Sequence, residues 1–181
     1  MNNFGNKEYC IISAEETLNM ELLERYLYLL KIEGASSLTI WYKETVTDKI
    51  NMISIKSNAE NLSSCMEAIN TLICKEGLIG LDYVDAFQYM RGGAGFAYFN
   101  EYAIQQGDNS QVVVDIENAK EFCKSAKCGV VLIDGWYTLG EAQEILELLE
   151  CDDREIAFQV HVDESKKNGK VYIWTSENRN A

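Results

Sequence analysis

The chain has 181 residues, 47% of them hydrophobic, no proline, and a formal net charge of −13. This is enough apolar material for one sizeable domain or two small ones with a packed core. The charge speaks against nucleic acid and anionic membranes as partners, since both are polyanions, and no apolar run approaches the roughly 20 residues of a membrane helix.

In chain order, Met1-Asn2-Asn3-Phe4-Gly5-Asn6-Lys7 lacks the basic start and apolar centre of a signal peptide, so a cytoplasmic location is the expectation. Glu8–Ile12 reads as a strand. Ser13-Ala14-Glu15-Glu16 is a capping box: the serine oxygen accepts a backbone N–H and Glu16 reaches back. Leu18, Leu22, Tyr26, Leu29 and Leu30 then recur at helical spacing. Ser37–Tyr42 and Ile50–Ile55 read as two strands around a polar turn. Ser57-Asn58-Ala59-Glu60 opens a second helix with Leu62, Met66, Ile69, Leu72 and Ile73 inward. A short helix over Tyr83–Met90 and a strand over Phe96–Phe99 follow. Asp115 caps a further helix with the stripe Ala119, Phe122, Cys123 and Ala126.

The C-terminal part repeats the opening pattern. Gly129–Ile133 is a strand, and Thr138-Leu139-Gly140-Glu141 opens a helix with Ala142, Ile145, Leu146 and Leu149 on one face. Ile156–Val162 and Lys170–Thr175 are two strands around the turn residues Asn168-Gly169. Both ends thus read β-α-β-β, each helix covering its own hairpin. The expected division is an N-terminal unit, 1–57, and a second region, 58–181, that contains the linking helix.

Three features have chemical potential, each with a bland reading beside it. Arg91-Gly92-Gly93-Ala94-Gly95 is glycine-rich, but phosphate loops follow a strand and open a helix. This run has the opposite order, so a tight turn is expected. The six cysteines (Cys10, Cys65, Cys74, Cys123, Cys128 and Cys151) form no C-x-x-C pair and read as reduced, buried apolar residues. A zinc site from Cys123, Cys128 and His161 fits no common ligand spacing, so no metal is expected. His161, the only histidine, lies on the opposite strand face from Val160 and Val162.

The third feature is Glu76-Gly77-Leu78-Ile79-Gly80-Leu81-Asp82-Tyr83-Val84-Asp85, with two carboxylates three residues apart. It resembles the synergy loop of FtsZ, the bacterial tubulin homologue, whose pattern is roughly G-L-I-N-x-D-[FY]-A-D. The resemblance runs from about Ala68 to Thr175. Beyond the loop it is carried by Met90, Gly95-Phe96-Ala97, Gly107-Asp108-Asn109, Gly129-Val130-Val131-Leu132, and Phe158 through Asp163-Glu164-Ser165. It implies the element order helix, acidic loop, short helix, strand, helix, strand, helix, strand, strand. The implied fold is α+β: a mixed sheet with packed helices in a two-layer, chorismate-mutase-like sandwich, here with an N-terminal β-α-β-β repeat.

The resemblance implies that Asp82 and Asp85 act only in trans, polarising water for GTP hydrolysis in a neighbouring subunit. Gly77, Leu78, Ile79, Gly80 and Leu81 would form the interaction loop. The same aspartates, at a helix start, also serve simply as caps. The departures matter as well. No G-G-G-T-G-[ST]-G nucleotide loop is present, Gly80 replaces the loop asparagine, Asn100-Glu101-Tyr102 replaces a glycine-rich segment, and the sequence ends at Ala181 without the family's tail. The expectation is an assembly or interaction module with no nucleotide site or cofactor of its own. Its partners would be itself or an FtsZ- or tubulin-like GTPase. The alternative is a small-ligand-binding regulator or enzyme with sites between subunits.

Overall fold

The computed structural model describes residues 2–4, 7–12, 26–31, 37–43, 50–57, 61–75, 77–78, 80–92, 95–106, 111–113, 115–124, 126–135, 138–149, 155–166 and 168–177. Five strands come first: β1 (Asn2–Phe4), β2 (Lys7–Ile12), β3 (Tyr26–Lys31), β4 (Ser37–Lys43) and β5 (Ile50–Lys56). Then follow α1 (Asn61–Cys74), α2 (Tyr83–Arg91), β6 (Phe96–Gln106), β7 (Gln111–Val113), α3 (Ile116–Lys124), β8 (Ala126–Gly135), α4 (Leu139–Leu149), β9 (Glu155–Val162) and β10 (Gly169–Glu177). From α1 onward this is the expected order, with the short β7 added.

All the described strands join one mixed sheet in the order β1-β2-β3-β4-β5-β6-β10-β8-β9, with β7 paired to β6. The pairs β2/β3, β5/β6 and β8/β9 are parallel and the rest antiparallel. The N-terminal strands therefore extend the C-terminal sheet through β5. That junction is short: Ser54, Ile55 and Lys56 lie opposite Phe96, Ala97 and Tyr98.

Side chains alternate across the sheet, and each face has its own core. On one face α1 and α2 bury Leu62, Cys65, Ile69, Leu72, Phe87 and Met90 against Leu38, Ile40, Ile53, Ile55, Phe99, Leu132 and Trp174. Residues from both sides of position 57 share this core. On the other face α3 and α4 bury Ala119, Cys123, Ala142, Ile145 and Leu149 against Val131, Ile133, Val160, Val171 and Ile173. The expected two-layer arrangement is thus corrected to three layers. The reason lies in β8 and β10, whose Val130–Ile133 and Val171–Trp174 runs are apolar at every position and need cover on both faces.

Two further expectations change. The helical stripe expected through Tyr26, Leu29 and Leu30 falls in part on β3, which pairs in parallel with β2 from Glu8↔Tyr26 to Ile12↔Leu30. Tyr26-Leu27-Tyr28-Leu29 alternates with period two and is rich in strand formers, and here that signal outweighs the helical spacing. The N-terminal part therefore carries β3 in addition to the strands expected of a β-α-β-β unit. Its capping box at Ser13 and its Leu18 and Leu22 lie outside the described residues. Second, β9 and β10 form no hairpin. β10 sits between β6 and β8, and β9 pairs in parallel with β8 at the margin of the sheet. Burial explains the choice: β10 is buried from Val171 to Ser176, whereas Glu155 and Phe158 of β9 remain exposed.

The helix signals from Ser57 onward fare better where they can be checked. Thr138 and Glu141 form the reciprocal box, with Thr138 N–H donating to Glu141 Oε2 at 2.7 Å and Glu141 N–H to Thr138 Oγ1 at 3.3 Å. Asp115 adopts φ 68°, and Asn118 donates its side-chain amide to the Asp115 carboxylate. Ala126 belongs to β8 rather than to the stripe of α3. The Ser57 hydroxyl donates to the Phe99 carbonyl at 3.2 Å, and the Asn58-Ala59-Glu60 part of its expected helix start lies outside the described residues. Gly92, in the glycine-rich turn, has φ 49° and ends α2, with its N–H bonded to Gln88 O. A Cβ there would lie 2.7 Å from Ser176 Cβ and 3.1 Å from Cys128 Sγ, so only glycine fits.

Ile145 is buried in the second core, so Ile145→Ala is expected to cost about 2–5 kcal/mol in denaturant unfolding. Burial pushes the Cys65 thiol up to about 12, with a contact to Trp174 acting weakly in the other direction. With so little thiolate, Cys65 is expected to resist iodoacetamide in the native protein and to react after unfolding, as followed by mass spectrometry.

Candidate functional site

The acidic loop runs from the end of α1 to the start of α2. Its first half is tied to β9: Leu78 N–H donates to Val160 O at 2.8 Å, and Gln159 Nε2 donates to Lys75 O at 3.3 Å. Its second half is tied down by Leu81, packed against the first core, and by buried Val84. The two anchors leave the middle standing out. Leu78 is 63% exposed, Gly77 is half-buried, and Gly80 is exposed with open space where a side chain would be. Ile79 and Glu76 lie outside the described residues.

Asp82 is the N-cap of α2. Its backbone is extended and its Oδ1 accepts from Val84 N–H at 2.8 Å, which satisfies one of the helix's open donors. Asp85 lies in the first turn, exposed, where its charge complements the helix dipole. The sequence-derived pair is therefore brought together at one exposed helix start. One carboxylate already has a structural task; the other faces solvent.

Behind the loop lies a polar cluster that the sequence did not disclose. Asp134, at the end of β8, is 2% exposed. His161 Nδ1 lies 2.8 Å from its Oδ1, and Lys166 Nζ donates to its Oδ2. The two partners satisfy both carboxylate oxygens, and the Lys166 ammonium offsets part of the cost of burying the charge. The turn after β9 continues the network. Asp163 N–H donates to Gly135 O at 2.8 Å, and the Asp163 carboxylate faces Lys75 Nζ at 4.0 Å. The hydroxyl and then the N–H of Ser165 hold the Asp163 carboxyl below its usual range. Burial first, and then the charges of Asp134, Glu101 and Glu67, push the Tyr172 phenol up, so it stays neutral. The signal available in the sequence was Asp134 at the end of an apolar strand and a lone histidine on another. Only the register Asp134↔His161 joins them.

The other candidates separate in space. Cys123 lies in the second core, while Cys128 Sγ donates to Tyr89 O at 3.3 Å on the opposite face. Among the described residues no group of three or more His, Cys, Asp or Glu side chains is placed to hold a metal, and no helix is long and apolar enough to cross a membrane. An open groove of about 620 Å³ is lined by Asn100, Glu101, Tyr102, Asp115 and Asn118. It includes neither Asp82 nor Asp85 and no cationic side chain.

No protein-family model matches the chain. No curated protein matches it either. Among solved structures it is similar to CetZ from Methanosaeta thermophila strain DSM 6194, at 17% identity and a TM-score of 0.43. That similarity covers 67% of this chain and 35% of the CetZ chain, so the chain spans about a third of that protein's length.

The cap gives a direct test of what Asp82 does for the fold. Asp82→Ala is expected to cost about 0.5–2 kcal/mol in denaturant unfolding, whereas Asp82→Asn, which keeps the accepting oxygen, costs far less.

Proposed function

We propose that this chain is a protein-interaction module of FtsZ-like type whose contact element is the acidic loop, working on itself or on an FtsZ- or tubulin-like GTPase. One observation carries the reading: a large apolar side chain, Leu78, is held out into solvent on a loop anchored at both ends, beside two exposed carboxylates. An apolar residue exposed on a fixed scaffold serves contact better than folding. The order of elements from α1 to β10, and the sequence motifs along it, agree with the resemblance.

Within this reading the two acids divide the work. Asp82 fixes the start of α2. Asp85, exposed and three residues on, is the group available to orient water at a phosphate held by a partner, a task of positioning and electrostatics. The nucleotide belongs to the partner, since this sequence has no phosphate-cradling loop opening a helix.

Sedimentation velocity of the protein alone, and mixed with a bacterial FtsZ and GTP, tests the proposal. Association is expected in at least one arm, and Leu78→Asp is expected to abolish it. Asp85→Asn is expected to leave association intact while removing any change in the partner's GTP hydrolysis. Absence of association in both arms, or micromolar GTP binding by the isolated protein in calorimetry, overturns the reading.

A further inference from the structure

We propose that the outer edge of β9, over residues 155–159, is a strand-addition site for an extended, basic segment of a partner protein. This surface is separate from the loop contact proposed above and does not depend on it.

The backbone directions define the edge. Successive residues of a strand turn their N–H and C=O groups to opposite edges. Just past β9, Asp163 N–H donates at 2.8 Å to the carbonyl of Gly135, the last residue of β8. The odd-numbered residues of this stretch therefore face β8. The Val160 carbonyl is taken from the other side, by Leu78 N–H at 2.8 Å, so the even-numbered residues face outward. Among the described strands, β9 pairs with β8 alone. The N–H and C=O of Ile156 and Phe158 thus line an edge with no partner among the described residues. Burial agrees. Glu155 and Phe158 are exposed and Ile156 and Ala157 half-buried, whereas Gln159 and Val160, beside the Leu78 anchor, are buried. The loop closes the edge at Val160 and leaves the first half of β9 open.

Such an edge is a template for pairing, and the side chains around it decide what it takes. Phe158 is 38% exposed and shares a sheet face with Val160, the face that α4 covers. Leu148, on the helix that leads into β9, is 44% exposed. An added strand sets alternate side chains on this face, and apolar ones there extend the cover begun by Phe158. The charge is one-sided. Glu144 and Glu147 of α4 and Glu155 of β9 are exposed, and α4 has no basic residue in its last turn. The connecting sequence adds Glu150, Asp152 and Asp153 against Arg154 alone. Carboxylates toward the C-terminal end of a helix oppose its dipole, so this charge costs α4 a little rather than stabilising it. It repels a second copy of the same edge and attracts lysine or arginine. The fitting occupant is a segment in which basic and apolar residues alternate.

Hydrogen exchange by NMR on the full chain tests this. The probe is a capped peptide of about six residues alternating lysine and valine. At about ten times the peptide's Kd, protection of the Ile156 and Phe158 amides is expected to rise about tenfold. The amides of Ala157 and Gln159, which face β8, are expected to change less. A peptide with the same lysines and valines in two blocks, and one alternating glutamate and valine, are expected to have no effect. Phe158→Pro removes an outward donor that β8 does not use, a place where an edge strand tolerates proline, and is expected to abolish binding. If that variant does not fold, the wild-type pattern with the three peptides decides. The proposal is overturned by no rise at Ile156 and Phe158, by an equal rise with either control peptide, or by undiminished binding to folded Phe158→Pro. It is also overturned if the free protein is a dimer with these amides already protected, since a second copy then fills the edge. Leu78→Asp, which disables the loop contact, is expected to leave the peptide's protection pattern in place, so the two proposals fail separately.

Discussion

The structure depends on α1 and α2 lying across the seam between β5 and β6. Three residue pairs in parallel register make that seam, too few to hold five N-terminal strands in place. The hydrophobic burial above it does the joining. Leu38, Ile40, Ile53 and Ile55 from one side of the seam and Phe99, Leu132 and Trp174 from the other pack under the same helices. At about 25 cal/mol per Å² of apolar area, a core shared in this way outweighs the few hydrogen bonds beneath it. The acidic loop is the connection between these two helices. Its place is therefore fixed by the same burial that joins the halves of the sheet.

Local signals in the sequence were good guides and nonlocal ones were not. The inward stripe of α1, the box at Thr138 and the cap at Asp82 each depend on residues within a turn or two, and each is found where expected. Strand pairing depends on distant chain. The turn at Asn168-Gly169 suggested a hairpin, but the sheet places β10 where its two apolar faces are covered and leaves β9 at the margin. Tyr26–Lys31 satisfies both a helical and a strand period, and its partner β2 decides between them. The three layers follow from the same difficulty. An unbroken apolar strand announces burial on both sides, but not which helices will supply it.

The candidate site divides along the same line. The acidic pair and the loop glycines could be found by eye because they are contiguous. The Asp134, His161 and Lys166 cluster could not, because it is assembled by register across β8 and β9 and by the turn that follows. The two parts differ in physical character as well. The loop is exposed and charged, where solvent weakens electrostatic effects. The cluster is centred on the buried Asp134 carboxylate, where the low local dielectric strengthens each hydrogen bond.

The bare backbone at Gly92 has a consequence for the opposite end of α2. The helix spans nine residues, about 13 Å at 1.5 Å per residue. At its last turn it butts against Ser176 and Cys128 with no room for even a methyl group. A rod stopped at one end cannot slide toward the stop. The height of Asp82 and Asp85 above the sheet is thus gauged from a contact a full helix length away. A side chain introduced at position 92 would push the whole rod, and would move both carboxylates together without touching either.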